Sequence, residues 1–250
     1  SRNSVAPPIY ESAAFAFVDA QHAVDLFDGK AAGLVYSRIA NPSVQMLEGR
    51  VATLEQGVGA VAVASGQAAL TCAMLTIAGA GDNIVAASSL YGTTYNLLGH
   101  VLPQYGVQAR FAPQQDLDAF RRLIDEGTRA VFCETIANPA GRVADLEALA
   151  ELAHASGVPL IVDNTVATPF LCRPFEHGAD IVVHSLTKYM AGHGAVLGGA
   201  VIDSGRFPWM AHAKRFPRLT QPDDSHHGTN FCASYGARAY IARCASVPFA

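Results

Sequence analysis

The chain has 250 residues, half of them apolar and 15% charged, with a formal net charge of -4. That length allows one large domain, or one domain with part of another, around a sizeable core. The charge balance offers no basic face for nucleic acid, since Lys214-Arg215 and Arg218 form a short cluster broken by Pro217. No apolar run reaches the length of a bilayer span. The opening Ser1-Arg2-Asn3-Ser4 leads into Pro7-Pro8 rather than an apolar signal segment. Cys72, Cys133, Cys172, Cys232 and Cys244 are odd in number and form no Cys-x-x-Cys pair. They fit reduced thiols in a cytoplasmic protein better than disulfides or a zinc site.

Residues 1–40, with Pro7-Pro8, Gly29 and Gly33, read as an irregular arm. A helix is expected from Ser43 as N-cap to Gly57 as stop, with Val44, Leu47, Val51 and Leu54 as its apolar stripe. Short apolar runs then alternate with helical stretches. The runs are 61–64, 83–87, 108–112, 130–133, 159–162, 181–184 and 199–202; the helices include 68–78, 117–126 and 146–156, the last capped by Asp145 and stopped by Gly157. Runs without polar alternation are buried on both faces. The alternation predicts an α/β fold with a mostly parallel sheet and right-handed crossovers.

Ligands of such folds sit beyond the carboxyl ends of the strands. Polar residues follow several of these runs: Ser65-Gly66-Gln67, Ser88-Ser89-Leu90-Tyr91-Gly92, Glu134-Thr135, Asp163-Asn164-Thr165 and Ser185-Leu186-Thr187-Lys188. Singly, each has an ordinary reading: a solvated lysine, a turn aspartate, a loop glycine, a core tyrosine. Together they offer a specific chemistry. A lysine at a buried strand end can present a neutral amine to an aldehyde. Asp163 can pair with a pyridinium nitrogen and keep the ring an electron acceptor. Gly66 opens a helix N-terminus to a phosphate, and Ser185 and Thr187 add hydroxyls. Tyr91 can stack on a flat ring and transfer a proton. The spacing is neither Gly-x-Gly-x-x-Gly nor a Walker loop, and Ser65 does not sit in Gly-x-Ser-x-Gly. His226-His227 and the other histidines lack metal-ligand spacing, so no metal is expected.

Six ordered motifs carry a resemblance. They are Tyr36-Ser37-Arg38-Ile39-Ala40-Asn41-Pro42, Ser65-Gly66-Gln67-Ala68-Ala69, Leu90-Tyr91-Gly92, Glu134-Thr135-Ile136-Ala137-Asn138-Pro139, Val162-Asp163-Asn164-Thr165 and Ser185-Leu186-Thr187-Lys188-Tyr189. Over nearly the whole chain they resemble the Cys/Met-metabolism family of enzymes dependent on pyridoxal 5'-phosphate. The resemblance implies the three-layer fold of these transferases, with residues 41–234 as the cofactor-binding large domain. It implies that Lys188 carries the cofactor and moves protons, that Asp163 pairs with the pyridine nitrogen, and that Tyr91 stacks on the ring. Ser65, the Gly66 and Gln67 amides, Ser185 and Thr187 would hold the phosphate. Tyr36 and Arg38, in the arm, would reach the phosphate of a neighbouring subunit, giving shared sites in a homo-oligomer, a dimer of dimers. Asn138 would lie near the substrate carboxylate.

Gln67, Ile136 and the segment 207–231 with His227-Gly228 resemble the O-acetylhomoserine sulfhydrylase branch; Thr93 departs from the glycine common there. That branch implies γ-replacement: O-acetyl-L-homoserine with sulfide or a small thiol gives homocysteine or a thioether plus acetate, in methionine biosynthesis. The alternatives are a cystathionine γ-synthase or γ-lyase, including the methionine γ-lyase type, and a non-catalytic cofactor-binding fragment. Relatives continue into a C-terminal domain that carries an arginine for the substrate carboxylate. Residues 235–250 are therefore expected to begin a connection to a domain largely absent from this chain, with Tyr240, Ile241 and Val247 short of apolar cover.

Overall fold

The computed structural model describes residues 5–246. In chain order its first elements are α1 (Ala20–Phe27), α2 (Pro42–Glu55), β1 (Gly59–Val63), α3 (Gly66–Ile77), β2 (Asn83–Ala87) and α4 (Gly92–Asn96). Next come β3 (Gln108–Ala112), α5 (Leu117–Leu123), β4 (Thr128–Glu134), α6 (Leu146–Ala155), β5 (Leu160–Asp163) and α7 (Thr168–Leu171). The last are β6 (Ile181–Ser185), β7 (Gly199–Asp203), α8 (Pro217–Thr220), α9 (Phe231–Tyr235) and α10 (Ala239–Ser246). The strands form one sheet in the order β1-β7-β6-β5-β4-β2-β3. All neighbours are parallel except that β7 runs antiparallel to both β1 and β6. This is the mostly parallel sheet expected from the alternation. Every residue of β2 and β7 is buried, so both faces of the sheet are covered. Among the described residues no helix is long and apolar enough to cross a membrane.

The caps explain where the helices begin. Asp145 accepts from the Ala148 N–H and starts α6 as expected, and Gly157, at φ +69°, follows its end. The α5 stretch ends at Leu123, short of the expected 126, because Ile124 turns extended. Asn41, rather than Ser43, caps α2: its Oδ1 accepts from the Ser43 N–H, and Pro42 takes the first helical position, where a missing N–H costs nothing. The helix stops one residue before Gly57, at Gln56, which adopts the left-handed conformation. The arm is not wholly irregular. It contains α1, capped by Asp19, and folds back on the start of α2 through Tyr10 N–H to Ser43 Oγ and Asn41 Nδ2 to Tyr10 O.

The expected stripe of α2 is overturned. Val51 is buried at 2% exposure, but Val44, Leu47 and Leu54 are 39%, 44% and 46% exposed. The inward face is instead Glu48, Val51, Ala52 and Glu55, which share one side at helical spacing. Both glutamates are engaged there. Glu48 accepts from the Ala62 N–H of the edge strand β1. Glu55 has no exposed side chain and bonds His184 of β6 and Asn164 after β5.

The expected lack of cover in the terminal stretch is also overturned for Tyr240 and Ile241; Val247 lies outside the described residues. Tyr240 is fully buried, stacks on Trp209 at 5.6 Å between ring centroids, and donates its hydroxyl to Ala73 O of α3. Arg243 bonds Thr76 O of the same helix and Asp223. α10 is thus docked on α3 by apolar cover and by two hydrogen bonds to carbonyls.

Removing the acceptor of buried donors leaves them unsatisfied, at a cost of about 1–3 kcal/mol each. We expect Glu55→Ala to lower the unfolding free energy by that order, read from the urea midpoint at constant slope. Arg121→Ala breaks an exposed pair with Asp118 and should change stability by less than ~0.5 kcal/mol. Equal effects of the two substitutions would refute the role given to Glu55.

Candidate active site

At the carboxyl ends of the parallel strands lies a cavity of about 830 Å³, within the range of cofactor pockets. Its wall includes Ser65, Gly66, Gln67, Tyr91, Asn138, Asp163, Ser185, Thr187 and Lys188. Nine of the residues singled out from sequence are therefore brought together. Tyr36 and Arg38 are not among the lining residues. They lie in the arm, where Tyr36 bridges to Ala14 and the Arg38 guanidinium sits 5.9 Å from the Tyr36 ring centroid.

One end of the cavity is built for an anion. Ser65 caps α3 by accepting from the Ala68 N–H. The Gly66 and Gln67 N–H groups come first in the helix and have no carbonyl to bond within it, and the helix dipole adds partial positive charge there. Glycine is required at 66: a Cβ there would stand 2.6 Å from Ser185 Cβ and 2.9 Å from Ser185 Cα. Gly199 is equally constrained, since a Cβ would lie 2.0 Å from Ser65 O. These approaches set the α3 amides beside the Ser185 hydroxyl. Thr187 lies alongside, with its hydroxyl taken up by Gly198, donating to the carbonyl and accepting from the N–H.

The other end is acidic. Asp163 closes β5, and its Oδ1 accepts from the Thr165 N–H at 3.0 Å and from the Thr165 hydroxyl at 2.5 Å. Thr165 in turn accepts from the Ser185 N–H, tying β5 to the start of the lysine loop. Among the described residues no hydrogen bond occupies Asp163 Oδ2. Burial pushes this carboxyl above the usual range, opposed by the Thr165 bonds and the nearby His184. Glu134, one strand over, is pushed up to about 7 by burial, with Asp163 adding to the rise. Sequence reasoning quoted Glu134 only as part of a motif, gave no role to Thr165, and missed the Glu55–His184 pair. The signal for Glu134 was available: an acid that closes a buried strand at the ligand edge.

Lys188 lines the same cavity. Its side chain is exposed on the open cavity rather than desolvated, and among the described residues its Nζ forms no ion pair or hydrogen bond. The Tyr91 ring, also exposed, precedes α4, and its N–H donates to Glu134 Oε1. An anion cradle, an open carboxylate oxygen, a free amine and an aromatic ring suit a flat, phosphorylated, aldehyde-bearing pyridine. A Cβ-free cradle and the unshared Asp163 oxygen are what such a group needs. Among the described residues no group of three or more His, Cys, Asp or Glu could hold a metal.

Comparison with known proteins agrees with this geometry. The family model described as Cys/Met metabolism PLP-dependent enzyme matches residues 1–232. A sulfhydrylase of Fusarium oxysporum f. sp. lycopersici is 46% identical over 241 residues, covering 96% of this chain and 56% of that protein. The O-acetyl-L-homoserine sulfhydrylase of Leptospira meyeri is 46% identical over 233 residues, covering 93% of this chain and 52% of that protein. The chain thus spans about half the length of the curated relatives it matches. Among solved structures, one described as an O-acetylhomoserine (thiol)-lyase of Campylobacter jejuni, carrying a pyridoxyl-lysine monophosphate, superposes with a TM-score of 0.93. It is 36% identical, and the match covers 98% of this chain and 61% of that one. On the matched length and the assembled cavity, the chain belongs to the Cys/Met metabolism family of PLP-dependent enzymes.

Proposed function

We propose that this chain forms the cofactor-binding part of an O-acetylhomoserine sulfhydrylase, which converts O-acetyl-L-homoserine and sulfide or a small thiol to homocysteine or a thioether and acetate. The observation that carries the reading is the free Lys188 amine on one wall with Asp163 and the Gly66–Gln67 cradle. The sulfhydrylase names of the relatives support the choice of reaction.

Pyridoxal phosphate, when bound, supplies an electron sink for the carbanion formed at the substrate α-carbon. The chain's residues do the rest. The Gly66 and Gln67 N–H groups and the Ser65 and Ser185 hydroxyls bind the phosphate, and Thr187 joins them if its hydroxyl exchanges the Gly198 carbonyl for a phosphate oxygen. Asp163 Oδ2 holds the ring-nitrogen proton, while Thr165 fixes the carboxylate through Oδ1. Tyr91 covers one ring face and offers its hydroxyl for proton transfer. Lys188 Nζ anchors the cofactor, then removes the α-proton and returns it at a neighbouring carbon. Asn138 orients the substrate carboxylate. Tyr36 and Arg38 lie off the cavity of their own chain, which supports their acting on the phosphate in a neighbouring subunit, where Arg suits a bidentate contact. Each site is then shared in a homo-oligomer, a dimer of dimers.

Borohydride reduction of the cofactor-loaded protein should place the pyridoxyl label on Lys188 by peptide mapping; a label on Lys30 or Lys214 would sink the assignment. Asp163→Asn should retain cofactor, because the phosphate cradle is intact, and lose roughly 100-fold or more in turnover per bound cofactor. Loss of the cofactor with unchanged turnover of the remainder would contradict the role given to Asp163. Mixing Arg38→Ala with Lys188→Ala subunits should restore a fraction of the sites, since each hybrid dimer holds one intact set. No recovery in confirmed hybrids would show that the site is built within one chain.

A further inference from the structure

Glu134 occupies an unusual place. It ends β4, is almost wholly buried, and yet lines the cavity. Its carboxylate has two partners, both backbone: Oε1 accepts from the Tyr91 N–H at 2.6 Å and Oε2 accepts from the Asn138 N–H at 2.9 Å. These N–H groups belong to different loops, one after β2 and one after β4. Among the described residues, the hydrogen bonds that join the loop bearing Tyr91 to the loop bearing Asn138 run through this one carboxylate.

We propose that Glu134 is a positioning residue, a double acceptor whose ionised carboxylate fixes the Tyr91 ring against Asn138, so that protonation loosens the ring wall and the substrate wall together. The inference rests on the reading of this cavity as the cofactor site. The chemistry follows from what a backbone N–H is. It only donates, so a carboxyl that has gained a proton turns an O–H and a poorer acceptor oxygen toward one of the two N–H groups, and that bond is weakened.

The surroundings place this change near neutrality. Burial raises the Glu134 carboxyl from its ordinary 4.5 to about 7, with Asp163 on β5 adding to the rise and the two N–H bonds opposing it. The other titratable groups around it are Cys133 on its own strand, Tyr91 after β2, and Lys188 and Tyr189 after β6. Arg142, in the same loop as Asn138, is directed away to Gln115 Oε1. Folding therefore favours the protonated form: the stability linked to Glu134 is full below about 4.5 and is lost as pH rises to about 7. The ionised form, which fastens the two walls, is the one the fold holds at a cost. A purely structural glutamate would not set stability and wall order against each other.

The test uses holoprotein loaded with pyridoxal phosphate; a separate portion is reduced with borohydride to establish Lys188 as the site, and the unreduced remainder serves for every other measurement. In wild type the induced circular dichroism of the bound cofactor should rise with pH through about 7 and level off. In Glu134→Gln it should be low and flat across that range, with cofactor affinity at pH 8 weakened by roughly tenfold, the equivalent of one charge-assisted hydrogen bond. The melting temperature of wild type relative to Glu134→Gln should fall as pH rises between 5 and 7, tracking the proton lost. A wild-type dichroism signal in Glu134→Gln at pH 8, or a stability difference that does not change with pH, overturns the proposal. Should Glu134→Gln not fold, Glu134→Asp keeps the charge on a stem too short for both N–H groups. It should retain the inflection with a reduced plateau, and a full wild-type plateau overturns the proposal. Failure of the Lys188 label in wild type would remove the cofactor reading and this inference with it. A correct label with an unaltered Glu134→Gln signal removes this inference alone.

Discussion

The cavity depends on a carboxylate that does not touch it. Glu55, at the end of α2, is fully buried, and its Oε1 accepts from His184 Nε2 and from Asn164 Nδ2. Asn164 also donates to Cys172 O and accepts from the Thr135 hydroxyl. Each member sits one residue from a wall of the site: Thr135 follows Glu134, Asn164 follows Asp163, and His184 precedes Ser185. Successive side chains along a strand face opposite sides of the sheet. The residues that meet a ligand and those that meet Glu55 are therefore interleaved on the same three strand ends. Such a network is stiff when satisfied and costly when broken, which suits a platform that must hold its groups within a fraction of an ångström. It also ties α2, and through Asn41 the arm, to the floor of the cavity.

The anion cradle depends on a different constraint, the absence of side chains. β7 lies between β1 and β6 in the sheet, so α3, which follows β1, must reach past β7 to meet the end of β6. It does so because Gly199 lets the Ser65 carbonyl pass over the start of β7, and Gly66 lets the first turn of α3 rest on Ser185. A methyl group at either point would separate the helix amides from the Ser185 hydroxyl. The cradle is thus reached across the antiparallel β7 only through this pair of close approaches.

How much of this was legible depended on whether the signal was local. β2 and β3 fall on the runs read from the sequence, and the Asp145 cap is where a cap should be. Nine candidate residues share the cavity because strand ends are easy to find and one edge of a parallel sheet collects them. The larger errors concern what packs against what. Periodicity located a stripe on α2 but could not tell that Glu48 and Glu55 turn inward, because their reason for doing so, an edge N–H on β1 and a histidine on β6, lies in other elements. Tyr240 looked uncovered because its partners, Trp209 and Ala73, come from distant segments. The apolar content of a segment states that it wants cover and is silent on where the cover is.

The two ends of the cavity give it an electrical direction. At the α3 end, unpaired N–H groups, a helix dipole and hydroxyls favour negative charge. At the ends of β4 and β5, burial raises both Glu134 and Asp163, with the Asp163 charge adding to the rise of Glu134, and the Asp163 oxygen that remains open asks for a proton-bearing partner. Glu134 meets its demand with two backbone N–H groups and so leaves the cavity no further appetite for positive charge on that wall. Asp163 has met only half of its own. A ligand that satisfies both ends carries its anion toward Gly66 and a protonated nitrogen toward Asp163, in a cavity whose wall also holds Lys188. Charge therefore gives a bound group of that kind one preferred direction along the cavity.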